Sequence, residues 1–131
     1  MIIMAFSSEE LQGQTLTGEN EAQNASAVAS TLIPATDVFK YGKFSVQLEN
    51  NESGGGETVT AIVWLSQTEV PGAVAHTGAA DWSQLGSDIT LAPGDREIYT
   101  WTTLGRHVAV TIVATGAITS KVTGRIMGRP F

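Results

Sequence analysis

Few side chains in this 131-residue sequence are of a type and spacing that could do chemistry. The two histidines, His76 and His107, fall in different segments, and neither has an H-x-H or H-E-x-x-H neighbour. A zinc site needs three or four ligands at matched spacing, so both read as surface or packed residues. The run "ESGGGET" lacks the lysine and the spacing of a phosphate loop, and no helix pattern follows it; it reads as a turn. No G-x-S-x-G elbow is present. Asp81, Asp88 and Asp95 sit where strands end or turn, as solvated acids do, rather than as a pair facing across a cleft. The absence of cysteine removes thiol chemistry and disulfides. The expectation is therefore no enzyme, cofactor, metal or small-molecule substrate.

Two features remain that could carry binding. Trp64, Trp82 and Trp101 are either core or interface residues, or a platform on which a sugar stacks. The second feature is charge. The formal net charge is -6, yet the acids and bases are separated along the chain. Residues 1–69 carry nine acids and two bases, whereas residues 70–131 carry four acids and five bases. The last stretch, "RHVAVTIVATGAITSKVTGRIMGRPF", has Arg106, Lys121, Arg125 and Arg129 and no acid. Complementary charge gives an interface orientation and specificity. Arg106, Lys121, Arg125 and Arg129 are accordingly candidate partner contacts. An acidic chain without aromatics interleaved among its bases points away from nucleic acid and anionic membrane.

The elements that must position these groups are strands. "FSVQL", "TVTAIVWLS", "HVAVTIVA" and "ITSKVTGRI" alternate with period two and are rich in β-branched residues, the pattern of half-buried antiparallel strands. Strands are expected at about 31–34, 37–41, 43–50, 57–66, 82–85, 88–91, 95–103, 106–115 and 117–127, some of them merging. The inward set is expected to include Phe44, Val46, Leu48, Val63, Leu65, Val108, Val110 and Ile112. "NNESGGGE" reads as a hairpin loop, "APGD" as a type II turn, and "ATGAI" as a tight hairpin at Gly116. Strands punctuated by turns every ten residues or so predict an all-β antiparallel sandwich over 31–131.

Residues 1–30 differ. "SSEELQGQTLTGENEAQNASAVAS" is polar and poor in large apolar residues, and reads as an N-terminal arm. A short helix over 21–29 and an extended arm fit it equally. The start, "MIIMAF", has no basic region before it and lacks the marks of a signal peptide. No apolar stretch reaches the ~20 residues that span a bilayer, so an intracellular product is expected. Residues 67–81 form the longest stretch between strands. They are nearly uncharged and made of small residues, a composition suited to packing against protein. This makes Val70, Val74 and His76 further candidate contacts.

The order of "FSVQLEN", a Gly loop, "TVTAIVWLS", "DWSQLGSDITLAPGDREIYTW" and "RHVAVTIVATGAITSKVTGRIMG" resembles the small β-sandwich decoration, or cement, proteins of tailed bacteriophage capsids. The resemblance spans about residues 38–127 and does not include 1–36. It implies a jelly-roll-like fold, self-association (often as trimers), and binding to the major capsid protein on the virion exterior after assembly in the host cytoplasm. It implies no cofactor and no turnover. The alternatives are a carbohydrate- or receptor-binding sandwich of a tail fibre, using Trp82 and Trp101, and a neck or tail structural protein.

Overall fold

The structure, a computed structural model, describes residues 9–17, 30–102, 105–115 and 121–130. Its strands are β1 (Glu9–Thr17), β2 (Ser30–Asp37), β3 (Tyr41–Asn50), β4 (Val59–Ser66), β5 (Ser83–Gln84), β6 (Ile89–Leu91), β7 (Arg96–Trp101), β8 (His107–Ala114) and β9 (Lys121–Pro130). No helix occurs among the described residues. One sheet has the order β1-β9-β3-β7 and the other the order β2-β8-β4-β5, with β6 also paired to β4. Every pairing is antiparallel.

Successive strands change sheet almost every time. The chain crosses between the sheets from β1 to β2, β3 and β4, and again from β6 through β7 and β8 to β9. The short strands β5 and β6 together occupy the place beside β4. Such alternation is the winding of a jelly roll, in which two Greek keys close a sandwich. Two sequence expectations are corrected by it. The Gly-rich run after Asn50 is no hairpin, because β3 and β4 lie in opposite sheets. Nor is the basic C-terminal segment a hairpin. Strand β8 pairs with β2 and β4, while β9 pairs with β1 and β3. Gly116, the expected centre of that turn, lies outside the described residues. Turn chemistry alone cannot tell a connection within a sheet from one between sheets, since both need the same backbone freedom.

Side-chain alternation decides the core. On β3, Phe44, Val46, Leu48 and Asn50 point inward, while Lys43, Ser45, Gln47 and Glu49 point outward. Of the expected inward set, Leu65 is partly buried and the rest are fully buried. Each such apolar side chain contributes roughly 1.5–3 kcal/mol on leaving water. Gly124 on β9 brings the sheets close, for a Cβ there would lie 2.7 Å from Leu32 Cδ2. The expected 31–34 strand runs on to Asp37, and 37–41 is a turn in which the Asp37 carboxylate accepts from the Phe39 amide. In "APGD" the Asp95 amide donates to the Ala92 carbonyl and Gly94 has φ 86°, as a type II turn requires.

Within the expected arm, Glu9–Thr17 is an edge strand on β9 of the same chain, and Leu11 packs against the core. Its composition hides this, because two leucines five residues apart, Leu11 and Leu16, among Glu, Gln, Gly and Thr give no period-two signal. The helix considered for 21–29 lies outside the described residues.

Asn50 fastens the crossing from β3 to β4. Fully buried, its side-chain amide donates to the Glu57 carbonyl (2.9 Å) and the Leu91 carbonyl (3.0 Å), and its Oδ1 accepts from the Glu52 amide (3.1 Å). Its backbone pairs with Asp95 and Gly94. Replacing Asn50 by Ala would orphan three backbone groups, so Asn50→Ala is expected to cost about 2–4 kcal/mol. Urea unfolding will read this as a lower midpoint at unchanged slope. A loss below about 1 kcal/mol would mean that the crossing is held elsewhere.

Candidate functional site

The site begins with the polar face of β9. Because Val122, Gly124, Ile126 and Gly128 point inward, Lys121, Thr123, Arg125, Met127 and Arg129 point out. Antiparallel register then sets neighbours across the sheet. Thr123 lies beside Glu49, which lies beside Arg96. Arg125 lies beside Gln47, which lies beside Ile98. Arg129 lies beside Lys43. Five of the seven Lys and Arg residues, Lys43, Arg96, Lys121, Arg125 and Arg129, thus share the outer face of one sheet. Glu49 sits among them, and its carboxylate accepts from Arg96 Nε at 2.7 Å. A trough of 370 Å³ lies over this region, bounded by Lys121 and Arg125 on one side and by Arg96 and Glu49 on the other. Gln47, Asn51 and Thr123 add amide and hydroxyl groups to its wall.

Sequence reasoning found three of these bases, Lys121, Arg125 and Arg129. It missed Lys43 and Arg96. The alternation of β3 puts Lys43 on the polar face, but nothing in the sequence says that β3 and β7 join β9. Arg106 goes elsewhere. It stacks over the Phe39 ring at 4.4 Å, at one end of the sandwich. There it lines a recess of 320 Å³ with Val70, Asp37 and Glu69. Phe39 and Val70 are exposed, Val70 by 83%.

The remaining candidates lie on the outer face of the second sheet, against which the 67–81 segment folds. Ile62, Trp64, Trp82 and Ala109 form a second apolar cluster there, with Val74 and Ala79 packed on it. Trp82 Nε1 donates to the Gly72 carbonyl (2.9 Å) while the Asp81 carboxylate accepts from the Gly72 amide (2.7 Å). Trp64 Nε1 donates to Thr111 Oγ1 (2.9 Å), and His76 Nδ1 lies 2.8 Å from the same oxygen. With His76 neutral and its proton on Nε2, the Thr111 hydroxyl donates a hydrogen bond to Nδ1 while accepting one from Trp64 Nε1. Trp64 and Trp82 are each 6% exposed, and Trp101 is half-buried against Phe44 and Tyr99. The tryptophans are core, and a Trp82–Trp101 platform for a sugar is not present. Among the described residues, no group of three or more His, Cys, Asp and Glu could hold a metal ion.

No protein-family model matches the sequence, and no curated protein matches it. Comparison with solved structures gives matches of low identity and low TM-score. A Bacillus endospore appendage protein, from a study describing a family of disulfide-linked pili, is 17% identical with a TM-score of 0.48, covering 100% of this chain and 98% of that one. An infectious bursal disease virus protein is 15% identical with a TM-score of 0.36, covering 94% of this chain and 34% of that one. The xylan-binding domain CBM22-1 of Paenibacillus barcinonensis Xyn10C is 8% identical with a TM-score of 0.43, covering 97% and 99%. The β-sandwich is established by the strand order itself, and nothing is inferred from scores of this size.

Burial lowers the His76 pKa from its ordinary 6.5, and nearby Asp88 opposes the shift in part. The unfolded chain therefore binds this proton at higher pH than the folded one. Stability is fully present above about 6.5 and falls as pH drops through that value toward the folded pKa. Protonation also turns Nδ1 into a donor and reverses the bond to Thr111. Wild-type protein should lose more thermal stability between about pH 7 and 5.5 than His76→Gln, which carries no such proton. Equal losses would detach His76 from the packing of the 67–81 segment.

Proposed function

We propose that this protein is a structural component of a virion, a decoration or cement protein that docks on the outer surface of a capsid lattice through the outer face of the β1-β9-β3-β7 sheet. The observation that carries this reading is the gathering of five bases on one sheet face of a chain with net charge -6. Cations spread along an open sheet face and its shallow trough suit a broad, acidic protein surface better than a small ligand held in an enclosed pocket. Electrostatic complementarity then fixes orientation and rejects like-charged neighbours. Supporting it further is the resemblance of residues 38–127 to capsid decoration proteins, which adds the major capsid protein as partner, self-association as a trimer and a place on the capsid exterior. The Phe39–Val70–Arg106 end of the sandwich is the surface we assign to contacts between copies.

The test is occupancy on capsids stripped of the protein, at low and moderate salt. Arg125→Glu with Arg129→Glu should bind at least tenfold more weakly than wild type, and the gap should narrow as salt rises. Both side chains are exposed, so the thermal midpoint should move little. Wild-type occupancy by the double variant at both salts would remove this face from the interface. Failure of wild-type protein to bind any capsid, with turnover of a small substrate, would overturn the reading.

A further inference from the structure

Two acids interrupt the basic face: Glu10 on β1, in register with Met127 and next to Gly13, the neighbour of Arg125, and Glu49 on β3, within the trough. Along β9 the cations recur every fourth residue, Lys121, Arg125 and Arg129, an interval of about 13 Å at a strand rise of ~3.3 Å per residue. That exceeds the Debye length of ~10 Å at 0.1 M salt, so Lys121 and Arg125 act separately on an anion in solution, whereas Arg129 has Lys43 as its cross-strand neighbour. Midway between Lys121 and Arg125 stands Thr123, whose neighbour on β3 is Glu49. Strands are ~4.8 Å apart. An anion bridging Lys121 to Arg125 must therefore pass Thr123, one strand spacing from the Glu49 position on β3. Glu49 also occupies Arg96, the base on the far wall of the same trough. One carboxylate thus removes a cation from the face and places a negative charge in the path between two others.

A continuous polyanion and a folded acidic protein meet this layout differently. A nucleic-acid strand carries a charge every ~3.4 Å along its axis and cannot skip the position opposite Glu49. A protein surface can put carboxylates opposite Lys121 and Arg125, and a neutral or basic side chain opposite Glu49. Gln47 then offers its amide to the uncharged part of such a surface, beside Asn51 and Thr123, which bond each other. We propose that this trough is a docking site for separate carboxylates on a folded protein partner, and that Glu49 is the residue that denies it to continuous polyanions. The proposal deepens the docking role given to this face above, yet it concerns which anions the face accepts and can be tested without a capsid.

The probe is a single-stranded oligodeoxynucleotide, with heparin as a second polyanion, titrated against the full chain at several salt concentrations near 0.1 M. Wild-type protein should bind both weakly. Glu49→Gln frees Arg96 and removes the opposing charge, so it should bind each about tenfold more tightly at 0.1 M salt. Its logarithmic salt slope on the oligonucleotide should be steeper by about 0.7, the signature of one added phosphate contact on a single strand. Glu49→Gln with Arg96→Gln should fall back toward wild type. Arg96 is exposed and Glu49 half-buried, and unfolding of Glu49→Gln will verify that its stability is close to wild type. Tight binding of either polyanion by wild-type protein, or no gain in Glu49→Gln, would overturn the proposal. Loss of capsid docking with the polyanion result intact would overturn only the capsid reading.

Discussion

The crossing of the chain between sheets at Asn50 is the constraint on which the rest of the structure depends. A jelly roll forms only if the polypeptide leaves one sheet and enters the other without orphaning its buried backbone groups. Asn50 meets that demand with one side chain, as two donors and one acceptor, at the point where β3 ends, β4 approaches and the β6–β7 turn returns. Apolar burial supplies most of the driving force, but it is indifferent to strand order. The buried amide discriminates, because a different register would leave its hydrogen-bonding groups unmatched in the interior.

Strand order, in turn, makes the charged face. Lys43, Arg96, Lys121, Arg125 and Arg129 are far apart in sequence, and only the β9-β3-β7 neighbourhood unites them. The opposite sheet has the reverse character. Its outer face is closed by the 67–81 segment over Trp64 and Trp82, with the Thr111 hydroxyl joining the indole to His76. One sheet therefore presents charge to its surroundings, while the other is sealed with an apolar layer of its own.

How much of this could be read in the sequence follows from the same division. Inward and outward sides of β3, β4, β8 and β9 were legible, because period two is local and β-branched residues declare it. The double burial of β4 was also legible, since Trp64 and Ile62 oppose Val63 and Ala61. Pairing was not legible. The Gly-rich run after Asn50 and Gly116 carry the same turn signals whether the chain returns beside itself or crosses to the other sheet. β1 escaped notice because an edge strand needs little apolar side chain when its ladder to β9 supplies the contact. The basic C-terminal stretch was visible as composition, but its partition between a sheet face and the Phe39 end was a matter of topology.

Chemical labelling of the lysines on capsid-bound protein tests the central claim most directly. The chain has three lysines: Lys43 and Lys121 on the basic face, and Lys40 in the exposed turn between β2 and β3. Amine-reactive reagent, read by mass spectrometry for free and bound protein, should find Lys43 and Lys121 protected on binding and Lys40 labelled as before. Equal labelling of all three, or protection of Lys40 alone, would contradict the account.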